Sequence, residues 1–329
     1  MAGKRIAITG STGLVGGRLV PYLEAHGHEV LRLVRHEPTH LNEVRWDPSQ
    51  GTIDSARLQG VDAVINMAVV SIANKRWSDA TKHAILKSRL ESTSLITRTI
   101  VEMDRKPAVL VSTSAVGYYG DGDDHVLTEQ SPKGSGFLAD VCAQWEAATD
   151  PAVAAGIRVV HLRFGVVTAR EGGLLPQMSL PFRFGLGGKI ASGRQYMSWI
   201  DVDDLVRALL FAIEREDLAG PVNAVAPEPA TNEEFTHALG EALHRPTIFP
   251  IPAFGIELLK GEMGKELILV SQRAVPAQLE RAGFEFLYPT IANSLDHQLR
   301  AGAQAPLDGR IAHTAASQPG AGVVQARPQ

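Results

Sequence analysis

Cysteine is almost missing from this chain, with Cys142 the only one among 329 residues. A single cysteine forms no internal disulfide and cannot build a cysteine-rich zinc site, so it reads as a small buried hydrophobe. Long apolar runs are missing too. None reaches the ~18 residues of a membrane-spanning helix, and the N-terminus lacks the apolar core of a secretory signal. Positive charge is not in excess either. Lys and Arg number 32 against 36 Asp and Glu, a net charge of −4 with histidine neutral, which gives no reason to expect nucleic acid or an anionic membrane as partner. These absences point to a cytoplasmic protein acting on a small molecule, with a homodimer as the default expectation. At 44% hydrophobic and 21% charged residues, the chain can bury one large core and carry an elaborated second lobe.

What is present is concentrated near the N-terminus. Arg5-Ile6-Ala7-Ile8-Thr9-Gly10-Ser11-Thr12-Gly13-Leu14-Val15-Gly16 runs from an apolar strand through a glycine-punctuated turn into a helix. Gly10 permits the tight turn, Gly13 lets the backbone approach a pyrophosphate, and Gly16 lets the helix lie against the strand. The free N–H groups and positive dipole end of that helix then face phosphates. The spacing is G-x-x-G-x-x-G rather than G-x-G-x-x-G. Leu14, Val15, Leu19, Val20 and Leu23 follow at helical intervals, and Gly27 ends the helix.

Further strands are expected at 29–34, 44–46, 62–68, 108–112 and 157–162, with helices over 80–103 and 137–156. Their alternation predicts an α/β fold, a doubly wound, mostly parallel Rossmann-type sheet with its ligand beyond the strands' carboxyl ends. Past Arg163, glycines and prolines break the chain into loops suited to a cap. A helix over 203–214 and a strand over 221–225 follow, and Thr231-Asn232-Glu233-Glu234 opens another helix with a capping box. Residues 1–166, completed by about 196–226, therefore read as the dinucleotide-binding domain. Segments 167–195 and 227–300 read as a smaller C-terminal α/β lobe on the substrate side, and 301–329 as a disordered tail.

In NAD enzymes of this architecture an acid at the end of the second strand holds the adenosine ribose hydroxyls. This chain has Val34-Arg35 there. A guanidinium suits a 2′-phosphate, through paired charge-assisted hydrogen bonds, so NADP(H) is the expected cofactor. Arg35 as a mere loop charge and Arg32 as a helper both stay open.

Together with the glycines, Asn66-Met67-Ala68, Ser112-Thr113-Ser114-Ala115-Val116-Gly117-Tyr118-Tyr119-Gly120 and Trp199-Ile200-Asp201-Val202-Asp203-Asp204 give the chain a long match. It resembles the extended short-chain dehydrogenase/reductases, and more closely their atypical, sugar-nucleotide epimerase-like branch (epimerase family proteins). Pro181 to Gly188, Gly193-Arg194-Gln195-Tyr196 and Gln272-Arg273-Ala274-Val275-Pro276 extend the similarity to about residues 3 to 300, including the C-terminal domain of unknown function that ends these proteins. The resemblance implies NADP(H) contacts at Gly10, Ser11, Thr12, Gly13, Leu14, Val15, Val34, Arg35, Met67, Ala68, Arg89 and Val166. Arg89 would meet a cofactor phosphate or form a surface salt bridge. Val69 stands where relatives usually have glycine, which bears on the substrate more than on the nucleotide.

Typical members use a tyrosine and, four positions later, a lysine that lowers its pKa from ~10 for proton transfer. Here the pair becomes Phe137 and Val141, or, one residue on, Leu138 and Cys142. Neither register supplies the chemistry. Ser114 remains at the place of the serine that meets the reacting oxygen, or else caps strand-end backbone groups. Tyr118 and Tyr119 are expected at the rim, so Ser114 and Tyr118 are the catalytic candidates. Glu146 reads as a solvated helix charge. Lys189, Arg194 and Trp199 are expected to face the cleft, the two cations suiting an anionic substrate. Asp201, Asp203 and Asp204 read as acids at a helix start, not as a metal site. Two functions stay open: an NADP(H)-dependent oxidoreductase or epimerase on a small polar, sugar-like molecule, and a non-catalytic NADP(H) sensor.

Overall fold

The computed structural model describes residues 3–73 and 76–299; the tail expected at 301–329 lies outside them. Short runs rich in Val, Ile and Leu make the strands, and 3.6-periodic stretches return the chain between them. The first half comprises β1 (Arg5–Thr9), α1 (Leu14–Ala25), β2 (Glu29–Val34), β3 (Glu43–Asp47), β4 (Thr52–Ile53), β5 (Ala63–Asn66), α2 (Asp79–Val101) and β6 (Val109–Ala115). Next come β7 (Val126–Leu127), α3 (Phe137–Ala147), α4 (Asp150–Ala154), β8 (Arg158–Phe164), β9 (Val166–Thr168), α5 (Leu175–Arg183), β10 (Tyr196–Met197), β11 (Trp199–Asp201), α6 (Val202–Glu214) and β12 (Gly220–Ala224). The chain continues through β13 (Ala230–Thr231), α7 (Asn232–Leu243), α8 (Ala253–Lys260), α9 (Glu262–Gly264), a π-helical turn over Lys265–Leu269, β14 (Arg273–Ala274), α10 (Ala277–Arg281) and α11 (Ile291–Leu299).

Eight strands form one sheet in the order β12-β8-β6-β5-β1-β2-β3-β4. All its pairings are parallel except β3 with β4. From β1 the chain builds outward in one direction through β2 and then in the other through β5 and β6. The order thus reverses beside β1, and the crevice at its carboxyl end is where such sheets take ligands. Side chains alternate across β1, as a strand requires. Ile6 and Ile8 pack with Leu19, Leu23, Leu205 and Leu209 on one face, and Ala7 packs with Leu95, Ile96 and Ile100 on the other. A third cluster gathers Leu175, Phe182, Trp199, Phe235, Leu239 and Leu295 outside the main sheet.

Two expectations need correction. The helix expected over 137–156 is two helices, because Pro151 lacks the N–H that a continuous helix would use and starts α4 instead. β6 runs on to Ala115, where Ser112, Thr113 and Ser114 pair with His161, Leu162 and Arg163 of β8. Among the described residues, no helix is long and apolar enough to cross a membrane.

Candidate functional site

The turn after β1 has no room for side chains. Gly10 is left-handed (φ 71°), and a Cβ on Gly16 would stand 2.2 Å from the Gly10 carbonyl oxygen. Only glycine lets α1 seat on that turn. Gly13 N-caps α1, and neither a side-chain cap nor an acid in the first turn answers its leading N–H groups. Thr12 is exposed there and Leu14 and Val15 are half-buried. Beside them the Thr9 hydroxyl donates to Asn66 Oδ1 (2.8 Å) and accepts from the backbone N–H groups of Met67 (2.8 Å) and Ala68 (3.0 Å). Met67 and Ala68 are thereby fixed next to Gly10.

At the end of β2, Val34 is buried and Arg35 is exposed. Among the described residues no carboxylate pairs with Arg35. Arg32 has its guanidinium bound to Glu43 at 3.0 Å. A hydrogen bond from the Thr39 backbone N–H, aided by Arg32, brings the Glu43 carboxyl down to about 2. That acid is turned inward, so it does not offer the ribose-binding carboxylate of an NAD site. Val166 lies on β9, its N–H donating to Ser198 O.

Arg89 is not in a surface salt bridge. It is buried, with Nη1 donating to Ile85 O (3.0 Å) and Val70 O (3.3 Å) and the guanidinium 5.1 Å from the Trp145 ring centre. Burial pulls its pKa down to about 10. A buried cation without a carboxylate partner is costly unless an anion reaches it.

Ser114, at the carboxyl end of β6, is buried, and its hydroxyl donates to Glu146 Oε1 at 2.6 Å. Arg163 holds both oxygens of that carboxylate at 2.8 Å. Its third nitrogen donates to the Tyr119 hydroxyl (2.9 Å), which donates in turn to Asn223 Oδ1 (2.7 Å). The side chains of Arg163 and Glu146 are only 3% and 12% exposed. Glu146 is therefore a buried ion-pair partner, not a solvated charge. Its signal in the sequence was Arg163, a cation near the carboxyl end of β8 and opposite Ser114 in register. Tyr119 also departs from expectation, being buried in this network rather than at the rim. Tyr118 is half-buried, with the Arg163 guanidinium 3.5 Å from its ring centre.

Cys142 adjoins Ser114 and Arg89, and its thiol is pushed up to about 11 by burial and by the Glu146 charge. A Cβ on Gly117 would meet Leu138 Cβ at 3.3 Å and Cys142 Sγ at 3.8 Å. Leu138 and Cys142 thus lie on the Gly117 and Ser114 side of α3, while Phe137 packs edge-on against Trp77.

The expected cleft residues are not gathered together. Trp199 is fully buried in the third core cluster, its Nε1 donating to Glu228 O, because β11 turns it inward against Phe235. It is a core residue. Lys189 pairs with Glu233 at 2.8 Å on the surface, and Arg194 is exposed. A cavity of about 340 Å³ lies instead beside Gly117 and Leu138, with Glu257, Lys265, Glu266 and Gln272 on its far wall. Sequence reasoning missed these four. The only hint was α3 itself, which begins at Gly136 without a capping side chain. Glu266 supplies the cap, accepting from the backbone N–H groups of Phe137 and Leu138, each at 2.9 Å.

Asp201 caps α6 as a helix-start acid should, but it also receives Ser294 and Gln298 from α11. Asp203 binds Arg18 (3.0 Å) and His297 (2.9 Å). Asp201, Asp203 and His297 bring ligand-type atoms within 4.8 Å of one another, and these bonds fasten α11 to α6. Burial raises the Asp201 carboxyl, and the hydrogen bond that His297 donates to Asp203 raises His297.

Residues 6–225 match the model of the NAD dependent epimerase/dehydratase family, and 251–298 match a domain of unknown function, DUF1731. Epimerase family protein Mb2239 of Mycobacterium bovis is 46% identical over 297 residues, which span 90% of this chain and 98% of that protein. The crystal structure of human epimerase family protein SDR39U1 with NADPH is similar at a TM-score of 0.81 and 32% identity, over 90% of this chain and 99% of that one. A nucleoside-diphosphate sugar epimerase from Corynebacterium glutamicum is similar at 0.76 and 37%, over 91% of this chain and 58% of that one. With two-thirds of its length inside the family model, this chain belongs to the NAD dependent epimerase/dehydratase family.

Proposed function

We propose that this chain is an NADP(H)-dependent oxidoreductase of the atypical short-chain branch, acting in the cytoplasm on a small polar, hydroxyl-bearing molecule. In this reading 1–166 with about 196–226 hold the dinucleotide, and 167–195 with 227–300 form the substrate side. The open N-terminus of α1 receives the pyrophosphate at Gly10, Ser11, Thr12, Gly13, Leu14 and Val15. Arg35 takes the 2′-phosphate. Val34, Met67, Ala68, Arg89 and Val166 complete the contacts, and NADPH in the human relative's structure supports the choice of cofactor. The bound nicotinamide supplies the hydride chemistry.

The observation that carries the enzyme reading is the Ser114 hydroxyl held 2.6 Å from Glu146. Because its own proton is committed to Glu146, Ser114 Oγ accepts a proton from a substrate hydroxyl and passes its own to Oε1. Tyr118 flanks this pair through Arg163. A second reading, a non-catalytic NADP(H) sensor, is favoured by one observation: the α3 side chains beside Gly117 and Ser114 are Leu138 and Cys142, neither a tyrosine nor a lysine.

A panel of alcohols, aldehydes, ketones and nucleotide sugars with NADP+ or NADPH separates the two. The enzyme reading expects turnover that falls about a hundredfold or more in Ser114→Ala and Glu146→Gln, with NADPH affinity unchanged. Silence across the panel despite tight NADPH uptake selects the sensor.

A further inference from the structure

From the lining of the cavity beside Leu138, we infer that its ligand is a small, cationic, donor-rich molecule such as an amino-polyol, and that a nucleoside diphosphate is rejected. The inference rests on the proposed function only in taking this cavity as the substrate side. Leu138 is buried and shares its wall with Gly117, one side chain from Cys142 and Ser114. Leu138 and Cys142 thus stand between the cavity and the Ser114–Glu146 pair.

The cavity's charged groups are mostly carboxylates, and the Ser135 hydroxyl beside them can donate or accept. Asp121, Glu257 and Glu266 supply three carboxylates against one ammonium, Lys265, which is already paired with Glu257 at 3.2 Å. The Gln272 amide donates its Nε2 to Gly120 O (3.0 Å), which leaves Oε1 to accept. Asp121 uses Oδ1 for the Ser271 and Asp123 N–H groups, and Oδ2 remains to accept. The N-terminus of α3, which favours an anion, is occupied by the carboxylate of Glu266. A phosphate entering here would meet three carboxylates, with the Lys265 ammonium and the Ser135 hydroxyl as its only side-chain donors besides the committed Gln272 amide. An ammonium or a set of hydroxyls would find acceptors on several sides. The volume of about 340 Å³ is also at the small end for ligand sites.

Glucamine, sorbitol and sorbitol 6-phosphate share a six-carbon polyol chain and differ chiefly in charge at one end. Each is titrated, with UDP-glucose as a fourth ligand, into NADPH-loaded protein by ligand-observed NMR, and NADPH affinity is measured on the same samples. Glucamine should bind about five- to tenfold more tightly than sorbitol, the size of one part-shielded ion pair, with no saturable binding of the two phosphorylated ligands. Glu257→Gln, at a half-exposed position, should shrink the glucamine preference severalfold and leave NADPH affinity unchanged. The inference is overturned if either phosphorylated ligand binds as well as glucamine, if sorbitol matches it, if none of the four binds while NADPH does, or if Glu257→Gln leaves the preference intact. Failure of NADPH itself to bind instead overturns the function proposed above.

Discussion

Replacing Arg163 with methionine keeps much of the side chain's length and removes the guanidinium. Three hydrogen bonds, at 2.8, 2.8 and 2.9 Å, are lost at once. Glu146, with its side chain 12% exposed, is left with only Ser114 against it. Stripping one partner from a buried ion pair costs about 3–5 kcal/mol, a large fraction of the ~5–15 kcal/mol by which folded domains are stable. Glu146→Gln should cost a similar amount, because it strands a cation only 3% exposed. The double variant Glu146→Leu/Arg163→Met should cost much less than the sum of the singles, since matched apolar groups leave no unpaired charge. Urea unfolding followed by tryptophan fluorescence, with all variants in parallel, measures these differences. An Arg163→Met cost below about 1 kcal/mol, typical of an exposed pair, would refute the reasoning and return Glu146 to the solvent.

Gly16→Ala places a methyl 2.2 Å from Gly10 O and 2.7 Å from Ser11 Cα, so the turn must shift. NADPH affinity by calorimetry should drop about tenfold or more as the backbone donors move, and unchanged affinity would contradict the cradle. The α11 anchor should weaken with rising pH. His297 is raised above its ordinary 6.5, so its contribution is full below that value and is lost as pH rises through its folded pKa. Asp201 is raised by burial and acts in the same direction, binding its proton more tightly when folded. Hydrogen-exchange protection factors for α11 amides should therefore fall as pH rises from Asp201's ordinary 3.8 to about 7, and fall further above 6.5 as His297 loses its proton, this second fall being absent in His297→Gln. Level or rising protection would contradict this.

Local signals carried most of the sheet. Gly27 ended α1, the capping box at Thr231 and Glu234 formed, and the β-branched runs became parallel strands, because each depends on neighbours in sequence. The turn after β1 and the start of α1 were legible for the same reason, since both lie within one βαβ unit. The pocket was not. Glu266 caps a helix 129 residues away, and nothing near either residue announces that contact. Glu146 and Trp199 were misread because a charge or an indole looks the same in sequence whether it faces water or a core. Arg163 opposite Ser114 was the one clue to Glu146, and it becomes visible only when the strand is taken as buried on both faces.

Parallel titrations of NADPH and NADH into wild type and Arg35→Ala test the central claim most directly. NADPH should bind the wild type about tenfold or more tightly than NADH, the worth of a charge-assisted phosphate contact. That gap should close in Arg35→Ala and narrow with added salt. Equal affinity of folded wild type for the two nucleotides, or uptake of neither, would contradict it.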